Sequence, residues 1–295
     1  MSWSGPKRVS GVGIGLRREL WPALSSIEAS FAHSPDWLEF ITENHVENRG
    51  WRQRMLDGAR ERWPLVPHGV SVSVGGPDPL DLEYLKALKR LLDSVGAEYY
   101  SDHLCWTGGH GFQFHDLIPL PFSAAAVEWT VPRVRLLSEV LERPIVLENI
   151  TYYAEMPGSR LSEAAFIRQI LEESGAYLLL DVNNAYQNAM NHGGDPVALL
   201  EALPLERTRQ IHLAGFEQDP EGVLLDNHGS AVDDAVWQLY EHALQCVGDV
   251  PTLIEWDNNI PALDVVLEQA GRAKTIRERS LGRAAESPKR GASHA

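Results

Sequence analysis

Eight short apolar segments, separated by stretches with helical spacing, restrict the fold of this 295-residue chain more than any other feature. Runs of this length are typical of buried strands, and strands that alternate with helices favour a parallel sheet. Eight such units predict a single (β/α)8 TIM barrel of the α/β class. The predicted strands span residues 11–16, 38–43, 65–74, 98–104, 144–149, 176–183, 209–215 and 251–256. A doubly wound open sheet is the alternative, but "GVGIGLRREL" lacks the third glycine of a dinucleotide-binding loop.

The segments between the predicted strands carry helix signals. An apolar stripe runs over residues 85–95 and stops at Gly96, as is typical of a helix end. Asp195 and Pro196 suit the N-cap and the first position of another helix. A third helix is predicted within residues 233–248. We expect one barrel domain over residues 1–271, followed at 272–295 by a helix that frays into a disordered basic tail.

Composition excludes several classes of function. The chain has 26 Lys and Arg against 41 Asp and Glu, a net charge of −15, which disfavours nucleic-acid binding. It contains no apolar run long enough for a membrane span, and "MSWSGPKRVSGVGIG" lacks the apolar centre of a signal peptide, so we expect a cytoplasmic location. Its two cysteines form no CxxC pattern, which argues against a disulfide framework or a thiolate zinc site.

Residues that can bind metal follow six consecutive predicted strands. Any one of them could be an ordinary core or surface side chain, but the carboxyl ends of barrel strands meet on one face, so we expect all of them to converge. Nitrogen and oxygen donors suit iron, manganese or zinc, and the surplus of carboxylates indicates two or three ions. The candidates are His68, His103, Glu148, Asp181, Asn184, His212, Asp226, His228 and Glu255. His115 and His192 lie in predicted loops at the rim of the same mouth, where we expect them to meet substrate.

The motifs around these residues resemble the MbnB/TglH family of multinuclear non-heme iron-dependent oxidative enzymes, over residues 11–270. The matching segments are "GVGIGLR", "FITENH", "PHGVSVSVGGPDPLD", "SDHLCW", "HDLIPLPF", "VLENITYY", "LLDVNNAYQNAMNHG", "IHLAGFE", "DNHG" and "LIEWDNNIP". The resemblance implies a xylose-isomerase-like barrel that holds two or three irons as Fe2+ and Fe3+. It also implies an oxidoreductase that uses dioxygen to modify cysteines of a ribosomally synthesised precursor peptide, with a separate protein presenting that peptide.

The same resemblance implies three ligand sets. One ion is held by His68, His103 and Glu148. Glu148 bridges to a second ion, which is also held by Asp181, His212 and Glu255, and the third ion is held by Asn184, Asp226 and His228. Whether Asn183 or Asn184 is the ligand stays open; Asn184 is preferred because its offset from Asp181 matches a related D-x-x-H pattern. Apart from the resemblance, Asp257 lies just past Glu255 and is the candidate catalytic base, with a solvated surface carboxylate as the alternative.

Other metal-dependent functions remain as alternatives. The order of ligands is also similar to that of endonuclease IV-type zinc phosphodiesterases, although this chain has Asn184 where that group has a histidine, and it lacks their basic surface. Sugar isomerase chemistry on a similar barrel and a non-catalytic metal-binding protein are two further alternatives.

Overall fold

A computed structural model describes residues 9–27 and 34–286, with side chains described as far as residue 282. The strands in the described ranges are β1 (Val12–Gly15), β2 (Leu38–Ile41), β3 (Leu65–His68), β4 (Tyr100–His103), β5 (Trp106–Gly109), β6 (Phe112–Ile118), β7 (Ile145–Glu148), β8 (Tyr177–Asp181), β9 (Thr208–Leu213), β10 (Glu217–Gln218), β11 (Leu224–Leu225) and β12 (Thr252–Ile254). Eight of them close into a parallel barrel in the order β1-β12-β9-β8-β7-β4-β3-β2. These are the eight strands that the sequence predicted, so the barrel prediction is confirmed.

Helices follow most of the barrel strands. They are α1 (Trp21–Leu24), α2 (Trp51–Arg62), α3 (Leu82–Val95), α4 (Ala124–Leu141), α5 (Glu163–Ser174), α6 (Val182–Asn191), α7 (Pro196–Ala202), α8 (Asp234–Val247) and α9 (Leu263–Glu286), with 3-10 turns at Thr42–Asn44 and Leu205–Arg207. Gly96 ends α3 in the left-handed conformation, and the Asp195 carboxylate accepts from Val197 N and Ala198 N at the start of α7. The end and start signals predicted for these two helices are therefore confirmed.

All eight barrel strands end one to six residues earlier than the sequence predicted, and two of these differences affect the site. The third ends at His68 instead of residue 74, and the sixth ends at Asp181 instead of residue 183. The second difference has a local cause, because the Asp181 carboxylate accepts from Asn184 N at 2.7 Å and so caps α6. Asn183 and Asn184 consequently lie in the first turn of a helix.

The last helix extends past the predicted domain boundary. α9 continues through Glu286, and Ala273 and Ile276 are buried, so the final helix that the sequence predicted is continuous across residue 272. The part of the predicted disordered tail at 287–295 lies outside the described residues. No helix in the described ranges is both long and apolar enough to cross a membrane.

A β-hairpin that the sequence analysis did not predict projects from the mouth of the barrel. It joins β5 to β6 through His110 and Gly111, both at positive φ. Trp106 pairs with Ile118 and Gly108 pairs with Gln113, so residues 114–117 bulge out of the ladder. The hairpin therefore forms one wall of the mouth.

Apolar packing fills the interior below the mouth. One small cluster lies inside the barrel and consists of Val9, Trp37, Val66, Tyr99, Val146, Leu179 and Leu253. Gly13 leaves the room that the Trp37 ring needs, since a Cβ there would lie 2.4 Å from the ring. A much larger cluster packs the outer faces of the strands against the helices, and together these layers fix the strand ends that carry the polar residues.

Candidate metal centre

The polar residues predicted at the strand ends converge at the mouth of the barrel. Strand register places His103 beside Glu148, and Asp181 beside His212. Glu255 follows β12, and its backbone N–H donates to Leu213 O at 2.9 Å. All five side chains are buried, which carboxylates and histidines tolerate only with partners or metal ions.

The first group consists of His68, His103 and Glu148. Glu148 Oε2 lies 3.4 Å from His68 Nε2 and 3.5 Å from His103 Nε2. The other ring nitrogens face away: His68 Nδ1 lies 2.9 Å from Ser101 Oγ, and His103 Nδ1 lies 3.8 Å from Asp102 Oδ1. Both Nε2 atoms therefore face the position where one ion would be held.

The second group consists of Glu148, Asp181, His212 and Glu255. His212 Nδ1 lies 3.0 Å from Glu255 Oε2 and 3.8 Å from Glu148 Oε1. The two oxygens of Glu148 thus face different groups, the arrangement that a carboxylate bridging two ions requires.

A third group is centred on His228, whose backbone is held at a φ of 47°. Its Nε2 lies 2.7 Å from Asp226 Oδ1, and its Nδ1 lies 3.0 Å from Asp257 Oδ2 and 3.5 Å from Glu255 Oε2. His228, Glu255 and Asp257 form the third metal-capable group. Asp226, which the sequence predicted as a ligand, contacts the other ring nitrogen of His228, and Asp257 was not predicted as a ligand.

Asn183 and Asn184 differ in their hydrogen bonding. Asn184 Oδ1 accepts from Thr151 Oγ1 at 2.9 Å, and Asn184 Nδ2 donates to Asn149 O at 3.0 Å, so both amide atoms are engaged. Asn183 lies 3.4 Å from Asp226 Oδ1 through Nδ2, and its buried Oδ1 has no partner among the described residues. In this arrangement the Asn183 oxygen is the one without a partner, although the sequence analysis preferred Asn184 as the ligand.

Burial changes the protonation of the cluster. Burial raises the pKa of Glu148 to about 7, in spite of the opposing effect of His103 and His212. Burial and the charge of Glu148 likewise raise the pKa of Asp181. Burial alone would lower the pKa of His103, but Glu148 and Asp102 raise it to about 9. Without metal, the folded site therefore retains protons that bound cations would displace.

Unpartnered buried oxygens test whether the residues fit metal ions. Glu148 Oε2, Asp181 Oδ2 and Asn183 Oδ1 are all buried without a hydrogen-bond partner in the described part of the chain. Buried acceptors without donors are costly, and a cation satisfies them directly. The set of imidazole, carboxylate and amide donors without thiolate suits iron, manganese or zinc.

Asp257 lies in an ion pair. Arg17 Nη2 contacts its Oδ1 at 2.5 Å, and His228 contacts its Oδ2. Although burial alone would raise the pKa of Asp257, Arg17 and His228 hold it well below its usual range. A carboxyl group with such a low pKa is a weak proton acceptor. The contacts of Asp257 therefore favour a role in positioning His228 over the predicted role of catalytic base.

An open cavity of about 720 Å³ lies above the metal-capable residues. His115 lies on its wall in the bulge of β6, at a φ of 54°, which agrees with its predicted position at the rim. His192 does not line this cavity. It stacks on Tyr152 at 4.5 Å because α6 carries it away from Asp181, so only Tyr152 of this pair faces the cavity.

Several polar residues that contact the candidate ligands were missed from the sequence. They are Arg17, Glu39, Ser101, Asp102 and Asn149. Asn149 donates to Asp181 O and accepts from Asp181 N, both at 2.9 Å, and so fixes that strand end. Glu39 could have been found as an acidic residue inside the apolar run "WLEFI", because a buried carboxylate needs a specific reason.

Comparison with known proteins identifies the family of the chain. The family model described as RiPP precursor modification enzyme MbnB/TglH/ChrH matches residues 11–278. A UPF0276 protein of Acaryochloris marina is 40% identical over 269 residues, which cover 90% of this chain and 95% of that protein. A UPF0276 protein of Caulobacter vibrioides is 42% identical over 264 residues, with 90% and 93% covered.

Solved structures share the fold at low sequence identity. An L-ribulose 3-epimerase superposes with a TM-score of 0.58 at 15% identity, covering 96% of this chain and 99% of the epimerase. D-psicose 3-epimerase from Clostridium cellulolyticum H10 gives a TM-score of 0.57 at 12% identity, with 93% and 98% covered. These neighbours share the TIM-barrel fold, and the family model covers nearly the whole barrel. The chain belongs to the MbnB/TglH/ChrH family of RiPP precursor modification enzymes.

Proposed function

We propose that this protein binds two or three iron ions and uses dioxygen to oxidise cysteine residues of a ribosomally synthesised precursor peptide. The observation that carries the proposal is Glu148, whose two oxygens face two separate metal-capable groups at the floor of an open cavity. A bridge of this kind is typical of sites that hold two ions close together. Membership of a family of precursor-modifying enzymes supports a peptide as the substrate.

We propose three ligand sets, with one change from the sequence prediction. His68, His103 and Glu148 hold one ion, and Glu148, Asp181, His212 and Glu255 hold the second. For the third ion we propose Asp226, His228 Nε2 and Asn183, because Asn183 Oδ1 has no partner among the described residues, whereas Asn184 Oδ1 accepts from Thr151 Oγ1. Bound iron would supply the capacity to activate dioxygen and to lower the pKa of a substrate thiol.

The cavity suits a peptide side chain with its neighbours. Its volume of about 720 Å³ lies in the range of small-molecule sites, and it is open on the outer side. Its walls combine apolar groups such as Leu117, Ile118 and Met156 with the polar groups of Gln113 and His115. We propose that His115 contacts the peptide, and that a separate protein presents the peptide to this mouth.

Reconstitution tests the proposal. The protein is loaded anaerobically with Fe2+, mixed with a Cys-containing precursor peptide and, in a parallel sample, with a peptide-presenting partner protein, and exposed to dioxygen. We expect a peptide mass change with oxygen uptake, lost when the peptide cysteine is replaced by serine and when Glu148→Gln protein is used. Activity with zinc alone and no oxygen uptake would instead indicate a hydrolase. An unchanged peptide mass with full iron loading would favour a metal carrier.

A further inference from the structure

A chain of buried polar side chains runs from the metal-capable residues into the barrel interior. Tyr99 Oη donates to Gln210 Oε1 at 2.6 Å, and Gln210 Nε2 donates to Glu39 Oε2 at 2.7 Å. Glu39 Oε2 lies 3.2 Å from His212 Nε2. The chain thus begins within the apolar barrel cluster, which includes Tyr99, and ends on a candidate ligand.

Glu39 is the unexpected member of this chain. It has 0% exposure, and its Oε1 has no hydrogen-bond partner among the described residues. Burying a carboxylate in an apolar interior is costly unless positive charge lies near it. The nearest groups that can donate to Glu39 are the neutral amide of Gln210 and the imidazole of His212. Its presence in the barrel therefore indicates a role that involves His212.

The two nitrogens of His212 face different surroundings. Nδ1 faces the second metal-capable group, 3.0 Å from Glu255 Oε2, while Nε2 faces Glu39 on the opposite side of the ring. An imidazole that binds an ion through one nitrogen carries its proton on the other, and that proton needs an acceptor.

Gln210 does not provide that acceptor. Its Nε2 also lies 2.8 Å from His212 Nε2, but an amide nitrogen only donates, so this contact serves the metal-free tautomer in which His212 Nε2 carries no proton. Its Oε1 is already engaged by the Tyr99 hydroxyl. Glu39 Oε2 is thus the acceptor available to a protonated Nε2, and Gln210 serves to hold Glu39.

We infer that Glu39 is a positioning residue that accepts the Nε2–H of His212 and thereby directs Nδ1 to the second metal ion. The inference rests on the proposed function, since it assigns the orientation of a ligand in the same metal centre. Partners of this kind raise the basicity of the imidazole, and their loss typically lowers metal affinity by about 10- to 100-fold. Glu39 thus strengthens the second ion site without contacting the ion.

Zinc affinity, measured by chelator competition, tests the inference with Zn2+ as the probe. We expect Glu39→Gln to bind the second Zn2+ about 10-fold more weakly than wild type, and Glu39→Leu up to about 100-fold more weakly. Gln210→Met is the matched control from the same chain, and we expect a smaller loss because the acceptor remains. Circular dichroism checks that each variant keeps its fold, and Glu39→Gln keeps the size of the side chain if the leucine variant does not fold.

Nitrogen-15 NMR spectra of the histidine side chains in the Zn2+-loaded protein show which ring nitrogen of His212 carries the proton. A general loss of stability would not change that assignment. We expect His212, assigned with a His212→Gln variant, to show a protonated Nε2 and a metal-bound Nδ1. Coordination through Nε2, or zinc affinity in both Glu39 variants within about 2-fold of wild type, overturns the inference. Wild-type protein that binds no Zn2+ at all would instead overturn the proposed metal centre, and the two failures are therefore distinguishable.

Discussion

Replacing Glu148 with glutamine should stabilise the fold of the metal-free protein and destabilise that of the metal-bound protein, each relative to wild type. Burial raises the pKa of Glu148 from 4.5 to about 7 in the folded, metal-free protein. Its neutral form is therefore favoured, and stability is lost as pH rises from about 4.5 through about 7. At 1.36 kcal/mol for each pKa unit, ionising Glu148 at about pH 8 costs roughly 3 kcal/mol. Glutamine has the shape of the neutral acid and avoids this cost.

Urea unfolding in the presence of a chelator measures the effect. We expect metal-free Glu148→Gln to be more stable than wild type by up to about 3 kcal/mol near pH 8, and equal to it near pH 4. Added Fe2+ or Zn2+ should reverse the order, because only wild type has the bridging carboxylate. A metal-free variant that is less stable than wild type near pH 8 would refute the reasoning, since Glu148 would then be a partner that the fold requires.

Three further predictions concern other residues of the site. Asn183→Ala should lower the number of bound ions measured by elemental analysis, whereas Asn184→Ala should leave that number unchanged. Asn184→Ala should instead lose about 1–3 kcal/mol of stability in urea unfolding, because Thr151 Oγ1 and Asn149 O lose a partner. The reverse pattern would contradict the assignment. Gly69→Ala should destabilise the folded protein by about 1–3 kcal/mol, since its Cβ would lie 1.7 Å from Tyr100 Oη. The control Gly271→Ala, in open space on α9, should stabilise it by about 0.5–1 kcal/mol. Equal effects of the two variants in thermal unfolding would show that the crowding at Gly69 is relieved. His115→Ala should keep the metal content and raise KM for the peptide, and an unchanged KM would exclude a role in substrate contact.

The barrel could be predicted because each of its eight strands is a short apolar segment of the sequence. A continuous apolar run is typical of a strand that is buried on both faces, as in a parallel barrel. The helices between the strands begin at caps such as Asp195 and end at residues such as Gly96. The strand ends were less predictable. Asp181 ends β8 through a side-chain contact to Asn184 N, which an apolar pattern does not reveal. The β5–β6 hairpin was missed because it lies outside the barrel: β6 is largely exposed, and β5 is a short segment that contains two glycines, so neither strand forms an apolar run.

The candidate site could be located but not resolved from the sequence. Parallel strands in a barrel place their carboxyl ends together, so residues such as His68 and His212 were expected to converge. The choice between Asn183 and Asn184 depends on the helical turn that follows Asp181, and the predicted strand extension concealed that turn. The role of Glu39 depends on which nitrogen of His212 faces the cluster, and only the folded geometry shows this.

Counting the iron ions bound per chain tests the central claim most directly. Anaerobically reconstituted wild-type protein, freed of loosely bound metal, should contain two to three irons per chain by elemental analysis. Glu148→Ala should lose at least one more iron than His68→Ala, because Glu148 faces two groups and His68 faces one. One iron or none in the wild type, or equal losses in the two variants, would contradict a multinuclear centre bridged by Glu148.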